Sequence, residues 1–402
     1  MELSAARHAA LDATMDVTRI GLEHFRSYAT AELLPDPGLT VVVAPNGTGK
    51  TNLLEAISVA IGGRSHRSAT DVELVAHGEP FGRVRLELSG GTAAGGATIE
   101  LLLPGEAPPP GLRKRLTLNG VPRRVAYLAD TARIVLFRPE EMLLLVGSPS
   151  DRRRFLDGIL AQRDRASARD LVELARVVAQ RNALLRAIRA EEASLDAMVF
   201  WDEQLALVGA RVMRARLSVV AELAERIGPL HDAVAPPDER GASVRLAYAD
   251  ALKDAWPERT DPRERIPGDG ELTAAYRRRI ADVRPKEAWN GVSLVGPQRD
   301  DLRVSLSDRE VATHASRGQQ RTIILALKLA ETELLGAEGP RPIVLLDDVF
   351  SELDPDRSAR LSGLLTGRGQ VIVTTADPST IHADTTSRAV WRIVTGRLER
   401  DS

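Results

Sequence analysis

The 402-residue chain contains no cysteine. Without a thiol it has no disulfide framework, no cysteine-ligated zinc or iron–sulfur site and no cysteine nucleophile. A reducing compartment is therefore the simplest location. No run approaches the roughly eighteen apolar residues of a membrane span, and residues 1–14 lack the basic start and apolar run of a signal peptide. We expect a soluble, cytoplasmic protein with no membrane partner.

The chain also lacks an excess of charge of either sign. Its 54 basic and 56 acidic residues give a net charge of −2, so any nucleic-acid surface must be local. Lysine is scarce, because only five of the basic residues are lysines. The arginine abundance fits a compositional bias and carries little functional information, whereas a lysine such as Lys50 is informative.

The order of sequence patterns indicates an α/β protein with a helical insertion. Strand-like runs at Val17–Phe25 and Leu39–Ala44 precede a helix at Asn52–Ile61. Runs between Arg83 and Arg133 resemble antiparallel strands. Apolar residues with helical spacing then indicate a hairpin of two helices, each on the order of 30–40 Å long. Strand patterns return after Ser293.

These patterns predict one α/β domain whose two halves lie on either side of the insertion. The predicted parts are an N-terminal extension (1–14), the N-terminal half of that domain (15–148), a helical lobe (149–290) and the C-terminal half (291–402). Met15 is an alternative start of the protein. The stretch 232–270 is rich in Pro, Asp and Glu and gives no clear element.

The most specific motif is A-P-N-G-T-G-K-T, Ala44–Thr51, between a strand and a helix. This is the context that a phosphate-binding loop requires. Its glycines let backbone N–H groups surround phosphate oxygens, Lys50 neutralises the β- and γ-phosphates, and Thr51 offers a hydroxyl to Mg²⁺. The alternative is an ordinary glycine-rich turn. Ala44 stands where the consensus has glycine, which puts the backbone angle there in question.

A carboxylate pair follows the apolar strand I-V-L-L, in Asp347 and Asp348. With a phosphate loop in the chain, Asp347 fits as the Mg²⁺ group and Asp348 as the base that activates water. Two aspartates after an apolar strand are otherwise often a solvated strand end.

A third motif, S-R-G-Q-Q-R at Ser316–Arg321, precedes an amphipathic helix. Its hydroxyl and backbone amides could bind a second anion at the helix start, although a helix cap is the simpler interpretation of this motif alone. The predicted nucleotide-binding residues are Ala44, Pro45, Asn46, Gly47, Thr48, Gly49, Lys50, Thr51, Asn52, Ser316, Arg317, Gly318 and Gln319. The predicted catalytic residues are Asp348 and Lys50, and the predicted metal ligands are Thr51 and Asp347.

Taken together, these motifs resemble the ABC-type ATPase head of transporters, SMC proteins and the RecF family. In such heads ATP lies between the phosphate loop of one protomer and the signature serine of the other. The resemblance assigns Ser316–Gln319 to that signature and Ser351–Asp354 to the D-loop.

The match is closer to the RecF family and extends over nearly the whole chain from Met15. It rests on H-F-R-S-Y (24–28), F-R-P-E-E-M-L-L-L-V-G-S-P-S-D-R-R-R-F-L-D (137–157), Q-R-N-A-L-L (180–185), W-D-E-Q-L-A-L-V-G (201–209) and L-L-D-D-V-F-S-E-L-D (345–354). The second and fourth of these motifs are specific to the family, while the last is shared with its relatives.

Three departures from these families stand out. Gln298 occupies the histidine position of G-P-H-R-D-D, and the sequence alone gives no physical account of that motif. Arg138 stands after the strand where a glutamine loop is expected. The strand at Val371 ends in T-T-A-D without the switch histidine of transporters, and His382 lies too far downstream to replace it.

The RecF resemblance implies an ATP-dependent DNA-binding protein of replication, recombinational repair and the SOS response to DNA damage. It implies an ATP-dependent homodimer on double-stranded DNA near single-strand gaps, with RecO-like and RecR-like mediators, slow DNA-stimulated hydrolysis of ATP with Mg²⁺, and association with the nucleoid. Two arginine-rich segments are candidate DNA contacts, Gly111–Arg124 and Arg152–Arg154. For each segment taken alone, a solvated face is the simpler interpretation.

Other classes remain open. A transporter ATPase subunit would have a compact helical insert and a switch histidine, and an SMC protein would have much longer helical arms. A P-loop kinase would need neither Ser316 nor a dimer.

Overall fold

The computed structural model describes residues 15–90, 96–252, 265–337, 339–365, 369–381, 388–394 and 397–401. Their contacts divide the chain into two units. The first contains the described residues up to Glu141, Ala233–Arg240 and those from Lys328 onward, and the second contains Met142–Asp232 and Gly241–Leu327. The predicted extension, residues 1–14, lies outside the described residues.

The first unit contains two six-stranded sheets. Sheet 1 is antiparallel, in the order β2-β1-β4-β5-β6-β7. Its strands are β1 (Met15–Phe25), β2 (Tyr28–Leu33), β4 (Phe81–Gly90), β5 (Ala97–Pro104), β6 (Arg115–Leu118) and β7 (Val121–Pro122). The antiparallel arrangement predicted for the runs between Arg83 and Arg133 is confirmed.

Sheet 2 has the order β15-β14-β3-β13-β12-β8 and is parallel except at β15. Its strands are β3 (Leu39–Val43), β8 (Ile134–Phe137), β12 (Ile343–Asp347), β13 (Val371–Thr375), β14 (Arg388–Val394) and β15 (Arg397–Arg400). Strands β3, β12 and β13 are almost entirely buried. This explains their continuous apolar sequences, because a parallel strand is covered on both faces.

Helix α1 (Lys50–Gly62) joins the cores of the two sheets. Ten of its thirteen residues are buried, and its apolar side chains share one cluster with residues of both sheets, including Leu86 and Leu345. Each fully buried leucine or isoleucine contributes roughly 1.5–3 kcal/mol to the stability of the fold. The position of the loop before α1 is therefore fixed by the core of the unit.

The second unit is mainly helical, as predicted. Its helices are α2 (Leu143–Val146), α3 (Pro149–Arg163), α4 (Arg165–Arg189), most of α5 (Met198–Val234), α6 (Asp269–Asn290), α7 (Val311–His314) and the first half of α8 (Arg317–Ala337). Helix α9 (Pro355–Leu365), which joins β12 to β13, belongs to the first unit. Within the described ranges, no helix is long and apolar enough to cross a bilayer.

Helix α5 is longer than predicted. It has 37 residues, or about 55 Å at ~1.5 Å per residue, and it continues through Pro229. The residues after this proline include the buried Leu230 and Val234. The free energy gained by burying these side chains offsets the loss of the helical hydrogen bond that proline cannot donate.

A small antiparallel sheet in the second unit was missed by the sequence patterns. Its order is β11-β10-β9, with β9 (Val244–Ala249), β10 (Asp301–Leu306) and β11 (Arg309–Glu310). Strand β9 lies in the stretch 232–270, in which the sequence pattern predicts neither a strand nor a helix. Because β9 pairs with β10, residues 291–327 group with the helical unit, whereas the predicted boundaries place them with the C-terminal half of the α/β domain.

A buried ion network connects three helices of the second unit. Arg181 on α4 is fully buried and donates to Asp202 on α5 at 2.8 and 3.0 Å, to Glu287 on α6 at 2.6 Å and to Ser293 at 2.8 Å. Removing one partner of such a network leaves an uncompensated buried charge, which costs about 3–5 kcal/mol. The network accounts for the Q-R-N-A-L-L and W-D-E-Q-L motifs, which contain Arg181 and Asp202.

The G-P-Q-R-D-D motif, Gly296–Asp301, is a second junction of the same unit. Asp300 is fully buried and accepts from Tyr248 Oη at 2.6 Å and from the Ala251 amide at 2.8 Å. Asp301 accepts two bonds from Arg152, at 2.6 and 2.8 Å. The motif thereby connects β10 with β9 and with α3.

Gln298, at the histidine position of this motif, lies over Gly296. Its Nε2 donates to the Val295 carbonyl at 2.9 Å. A Cβ at Gly296, where φ is +127°, would lie 2.4 Å from Gln298 Oε1. The glycine is therefore required by its backbone angle, and a larger residue would also displace the Gln298 side chain.

Stability should depend on pH through Asp300. Burial raises the pKa of this carboxyl from 3.8 to about 7, so the unfolded chain releases the proton at lower pH than the folded chain does. The protonated Asp300 carboxyl therefore stabilises the folded state fully below about pH 4, and this contribution is lost as pH rises toward 7. Between pH 5 and 8, the free energy of unfolding of the wild type should fall by on the order of 2 kcal/mol relative to that of Asp300→Asn. Urea unfolding at each pH measures this difference. Parallel pH profiles of the two proteins would contradict this.

Candidate nucleotide-binding site

The predicted phosphate loop lies at the carboxyl end of β3, in the middle of sheet 2. Pairing of β3 with β13 brings Val43 opposite Thr375, and the Ala44 amide donates to the Thr375 carbonyl at 3.1 Å. The loop therefore starts at a fixed point of the sheet. It ends at α1, where the Leu53 amide donates to the Gly49 carbonyl at 3.1 Å.

Both glycines of the loop have left-handed backbone angles, with φ of +81° at Gly47 and +110° at Gly49. Gly49 is also tightly surrounded, because a Cβ there would lie 2.8 Å from Ser27 Oγ and 3.0 Å from Tyr28 Oη. Tyr28 Oη donates to the Gly49 carbonyl at 3.0 Å. The H-F-R-S-Y motif thus supports the loop from β2 and the turn before it.

Ala44 fits the loop without strain. It is buried and is not among the residues with positive φ, so its backbone does not need the freedom of glycine. The departure from the consensus at this position therefore leaves the loop geometry intact.

Lys50 lies under the loop with its side chain buried. Its Nζ donates to the Ala44 carbonyl at 2.7 Å and to Asn46 Oδ1 at 3.0 Å, and it lies 4.0 Å from Asp348 Oδ2. Thr48 donates to the Pro45 carbonyl at 2.7 Å, which closes the turn. Asn52 donates to Ser27 Oγ at 2.9 Å and accepts from Arg67 at 3.1 Å.

Asp347, at the carboxyl end of β12, faces the start of α1. Its carboxylate accepts from Thr374 Oγ1 at 2.8 Å and from the Thr51 hydroxyl. Burial raises the pKa of Asp347 above its usual value, the two hydroxyls oppose that rise, and the negative charges of Glu140 and Asp348 add to it.

These oxygens have the chemistry of a magnesium site. The described residues contain no cluster of three His, Asp or Glu side chains that could hold a metal alone. Mg²⁺ is commonly held by one or two protein oxygens together with substrate phosphates. Thr51 and Asp347 fit that donor set.

Asp348 has a strained backbone and an unpaired carboxylate oxygen. Its φ and ψ are 53° and 24°, a left-handed conformation that is uncommon for residues other than glycine. The amide donates to the Thr374 carbonyl at 3.0 Å, and the Asp348 carbonyl accepts from Ser351 Oγ at 2.7 Å. Oδ1 is buried and has no hydrogen-bond partner among the described residues. The backbone bonds hold this oxygen in place.

Ser316 caps α8, as the simpler interpretation of its motif has it. The Gln319 amide donates to Ser316 Oγ at 3.2 Å, and the Ser316 amide donates to Gln319 Oε1 at 2.9 Å. Ser316 and Arg317 are exposed, and Gly318 is half-buried. The motif belongs to the second unit and the phosphate loop to the first.

Two residues near Asp347 were not identified from the sequence. Thr374 was seen only as the end of a strand, and Glu140 only as part of F-R-P-E-E. Strands β8 and β12 pair with Leu346 opposite Phe137, so the turn at Pro139–Met142 follows at the same edge of the sheet. Arg138, at the glutamine-loop position, donates to Glu141 at 2.8 and 3.1 Å. His382 lies outside the described residues.

The sheet, the loop and the carboxylate strand define an α/β ATPase of the P-loop class, and residues 19–102 match the family model of an AAA domain. The chain is 37% identical over 394 residues to DNA replication and repair protein RecF of Heliobacterium modesticaldum, with 96% of this chain and all of the relative covered. It is 36% identical to the protein of the same name from Acidothermus cellulolyticus, over 90% and 94% of the two chains. The chain belongs to the RecF family of DNA replication and repair proteins.

Solved structures agree with this assignment. The recombination mediator protein RecF of the RecFOR pathway, described as RecF-ATPrS and as RecF-ATP, matches with TM-scores of 0.84 and 0.82 at 25% identity, over 97% and 96% of this chain and 99% of each RecF chain. An Smc head bound to the C-terminal winged-helix domain of ScpA matches with a TM-score of 0.54 at 15% identity, over 96% of both chains. That likeness concerns the fold alone.

The crowding at Gly49 makes a specific prediction for ATP binding. Gly49→Ala should lower the affinity for ATP at least tenfold, because the new Cβ combines a strained φ with contacts at 2.8 and 3.0 Å. Gly62→Ala is the matched control, since a Cβ there meets nothing within 4 Å. Binding would be measured by calorimetry. Equal affinities of the two variants would show that the loop does not need this geometry.

Proposed function

We propose that this protein is an ATP-dependent DNA clamp of replication, recombinational repair and the SOS response. ATP binds one protomer at Gly47–Thr51, and the partner subunit's Ser316 closes over the γ-phosphate. Binding of ATP thereby favours the dimer over the monomer, as any such coupling requires. The observation that carries the proposal is the loop and carboxylate geometry around Lys50 in a member of the RecF family.

Different residues of the chain would bind the metal ion and orient water for ATP hydrolysis. Thr51 and Asp347 hold Mg²⁺, which neutralises phosphate charge when it is bound. Asp348 is the base that orients water, and its Oδ2 lies 4.0 Å from Lys50 Nζ. Aspartate is one methylene shorter than the glutamate usual in ABC-type heads, which supports slow, DNA-stimulated turnover.

The candidate DNA surface is an arginine-bearing hairpin at the edge of sheet 1. Strands β6 and β7 are joined by Asn119 and Gly120, both with positive φ, as a two-residue hairpin turn requires. Its exposed arginines are Arg113, Arg115, Arg123 and Arg124. The pairs Thr117–Pro122 and Leu118–Val121, together with the bond from the Arg123 amide to the Leu116 carbonyl at 2.9 Å, leave Arg115 and Arg124 at the open end of the hairpin.

Like charges on neighbouring segments of a hairpin repel one another, and bound anions relieve that repulsion. Phosphates of a DNA backbone supply such anions. This arrangement supports contact with double-stranded and gapped DNA without base specificity.

The hairpin also packs on the helix that begins at the phosphate loop. Lys114 donates to the Gly63 carbonyl and to Asp71, both at 2.8 Å. A Cβ at Gly63 would lie 2.3 Å from Val125 Cγ2, so the end of α1 and the chain after the hairpin are in close contact. A DNA contact at the hairpin would therefore act directly on α1.

The second arginine-rich segment is a weaker candidate for DNA. Arg152 is bonded to Asp301 and Arg153 to the Asp300 carbonyl, so both are occupied within the unit. Arg154 is largely exposed, although it also contacts Asp151 at 3.2 Å.

RecO-like and RecR-like mediators are the proposed protein partners, with recombinase loading as the outcome and the cytoplasmic nucleoid as the location. The support is family membership and the likeness to RecF of the RecFOR pathway. The described helices α4 and α5, of 25 and 37 residues, are short for the arms of an SMC-type structural protein.

Size-exclusion chromatography with ATP and Mg²⁺ tests the clamp. The wild type should shift from monomer to dimer. Lys50→Met should lose both ATP binding and dimerisation, because the charge that neutralises the phosphates is gone. Ser316→Arg should bind ATP as a monomer but should not dimerise.

Asp348→Asn should dimerise and dissociate more slowly than the wild type, since hydrolysis no longer opens the dimer. A wild type that stays monomeric with ATP and gapped duplex would refute the clamp. A Ser316→Arg variant with full ATPase activity would favour a monomeric P-loop enzyme.

The hairpin makes a separate prediction about DNA. Arg115→Ala/Arg124→Ala should weaken duplex binding by about tenfold at low salt and reduce the slope of log affinity against log salt by roughly two, measured by fluorescence anisotropy. Arg176→Ala/Arg278→Ala, which removes two exposed arginines of the helical unit, is the charge-matched control. Equal loss in both variants would mean that the hairpin has no special role.

A further inference from the structure

The segment Ala233–Arg240 has an unusual place in the chain. The chain on both sides of it belongs to the helical unit, whereas the segment itself packs with the ATPase unit. The residues that flank the segment are joined by a hydrogen bond, because the Gly241 amide donates to Asp232 Oδ1 at 2.9 Å. We call this segment the clasp.

The clasp is bound to α9, the helix that follows the D-loop. Arg360 donates to the Ala235 carbonyl, which also accepts from Arg240 at 3.3 Å. Arg357 donates from Nη2 to Glu239 Oε1 at 3.0 Å. The side chains of Arg357 and Glu239 are each only 13% exposed, so solvent weakens this ion pair less than it weakens a surface pair.

The other end of Arg357 binds the last residue of the D-loop. Its Nη1 contacts Asp354 Oδ2, and its amide donates to Asp354 Oδ1 at 3.0 Å. Asp354 also caps α9, because the Ser358 amide donates to its carbonyl at 2.9 Å. One guanidinium therefore bridges the clasp and the D-loop.

The remaining contacts fix both ends of Ser351–Asp354. At the first end, Ser351 Oγ donates to the Asp348 carbonyl at 2.7 Å. Beyond the second end, Ser358 Oγ donates to the Thr380 carbonyl at 2.6 Å. Glu239 is the clasp side chain that binds Arg357, so a substitution there alters the support of the D-loop and leaves the sequence of the phosphate loop unchanged.

We infer that Glu239 and Arg357 are positioning residues that set the D-loop for ATP-driven dimerisation. The inference rests on the proposed clamp. The clasp and α9 belong to the same unit, so this ion pair joins two segments of that unit that lie more than 100 residues apart in the chain. Both residues lie outside the predicted nucleotide-binding segments, residues 44–52 and 316–319, so their effect on dimerisation can be measured separately from any effect on ATP binding.

The test compares Glu239→Ala with Glu239→Gln, which keeps the acceptor oxygen. Glu239→Ala should weaken ATP-driven dimerisation about tenfold, the scale of one charge-assisted hydrogen bond. Glu239→Gln should recover part of this loss, and ATP affinity of the monomer should be unchanged in both. Association would be measured by analytical ultracentrifugation. Glu222→Ala is the matched control, since it removes a similarly half-buried carboxylate bonded to Arg163 at 2.6 Å in the helical unit.

A second measurement separates this inference from the clamp itself. In the ATP-free protein, Glu239→Ala should raise amide hydrogen exchange in peptides covering 354–358, whose Arg357 and Ser358 amides are bonded to Asp354. Glu222→Ala should not change that exchange. If the wild type dimerises with ATP and Glu239→Ala matches Glu222→Ala in association, the inference is wrong. Unchanged exchange at 354–358 overturns it even if the wild type fails to dimerise.

Discussion

Parallel pairing of β3, β13 and β12 is the constraint on which the rest of the site depends. Parallel strands end at one edge of a sheet, and here Val43 lies opposite Thr375 and Thr374 opposite Asp347. The phosphate loop leaves from the first strand and the carboxylates from the third. The middle strand contributes Thr374, which binds Asp347 and the Asp348 amide. Residues more than 300 positions apart thus meet without any long side chain.

The parts of the site that could be predicted from sequence are those in which local geometry demands a residue type. Gly47 and Gly49 are required by positive φ, and Lys50 follows from the loop that it lies under. Thr374 and Glu140 could not be predicted, because their roles depend on which strands are neighbours. Strand β9 was hidden for a similar reason: its register is set by β10, over 50 residues away.

The motifs that distinguish this family are largely structural within the second unit. Arg181 and Asp202 come from two separate motifs and meet in one buried network with Glu287. Asp300 and Asp301 bind Tyr248 and Arg152. A sequence can show that such residues are distinctive, but a buried arginine with several carboxylate partners cannot be recognised before the helices are placed. Part of the family pattern therefore stabilises the helical unit, while other motifs, such as H-F-R-S-Y, support the phosphate loop.

The balanced net charge is compatible with DNA binding because charge acts over short distances. At physiological ionic strength the screening length is about 8 Å, so phosphates bound at the proposed surface would respond to nearby arginines such as Arg115 and Arg124 and little to acidic groups elsewhere. Many other arginines are already paired with carboxylates, as Arg216 is with Asp157 and Arg163 with Glu222. Such pairs contribute to the whole-chain sum but offer little to a ligand. The useful quantity is therefore the number of exposed arginines that lie close together in one segment, and the hairpin has four of them, Arg113, Arg115, Arg123 and Arg124.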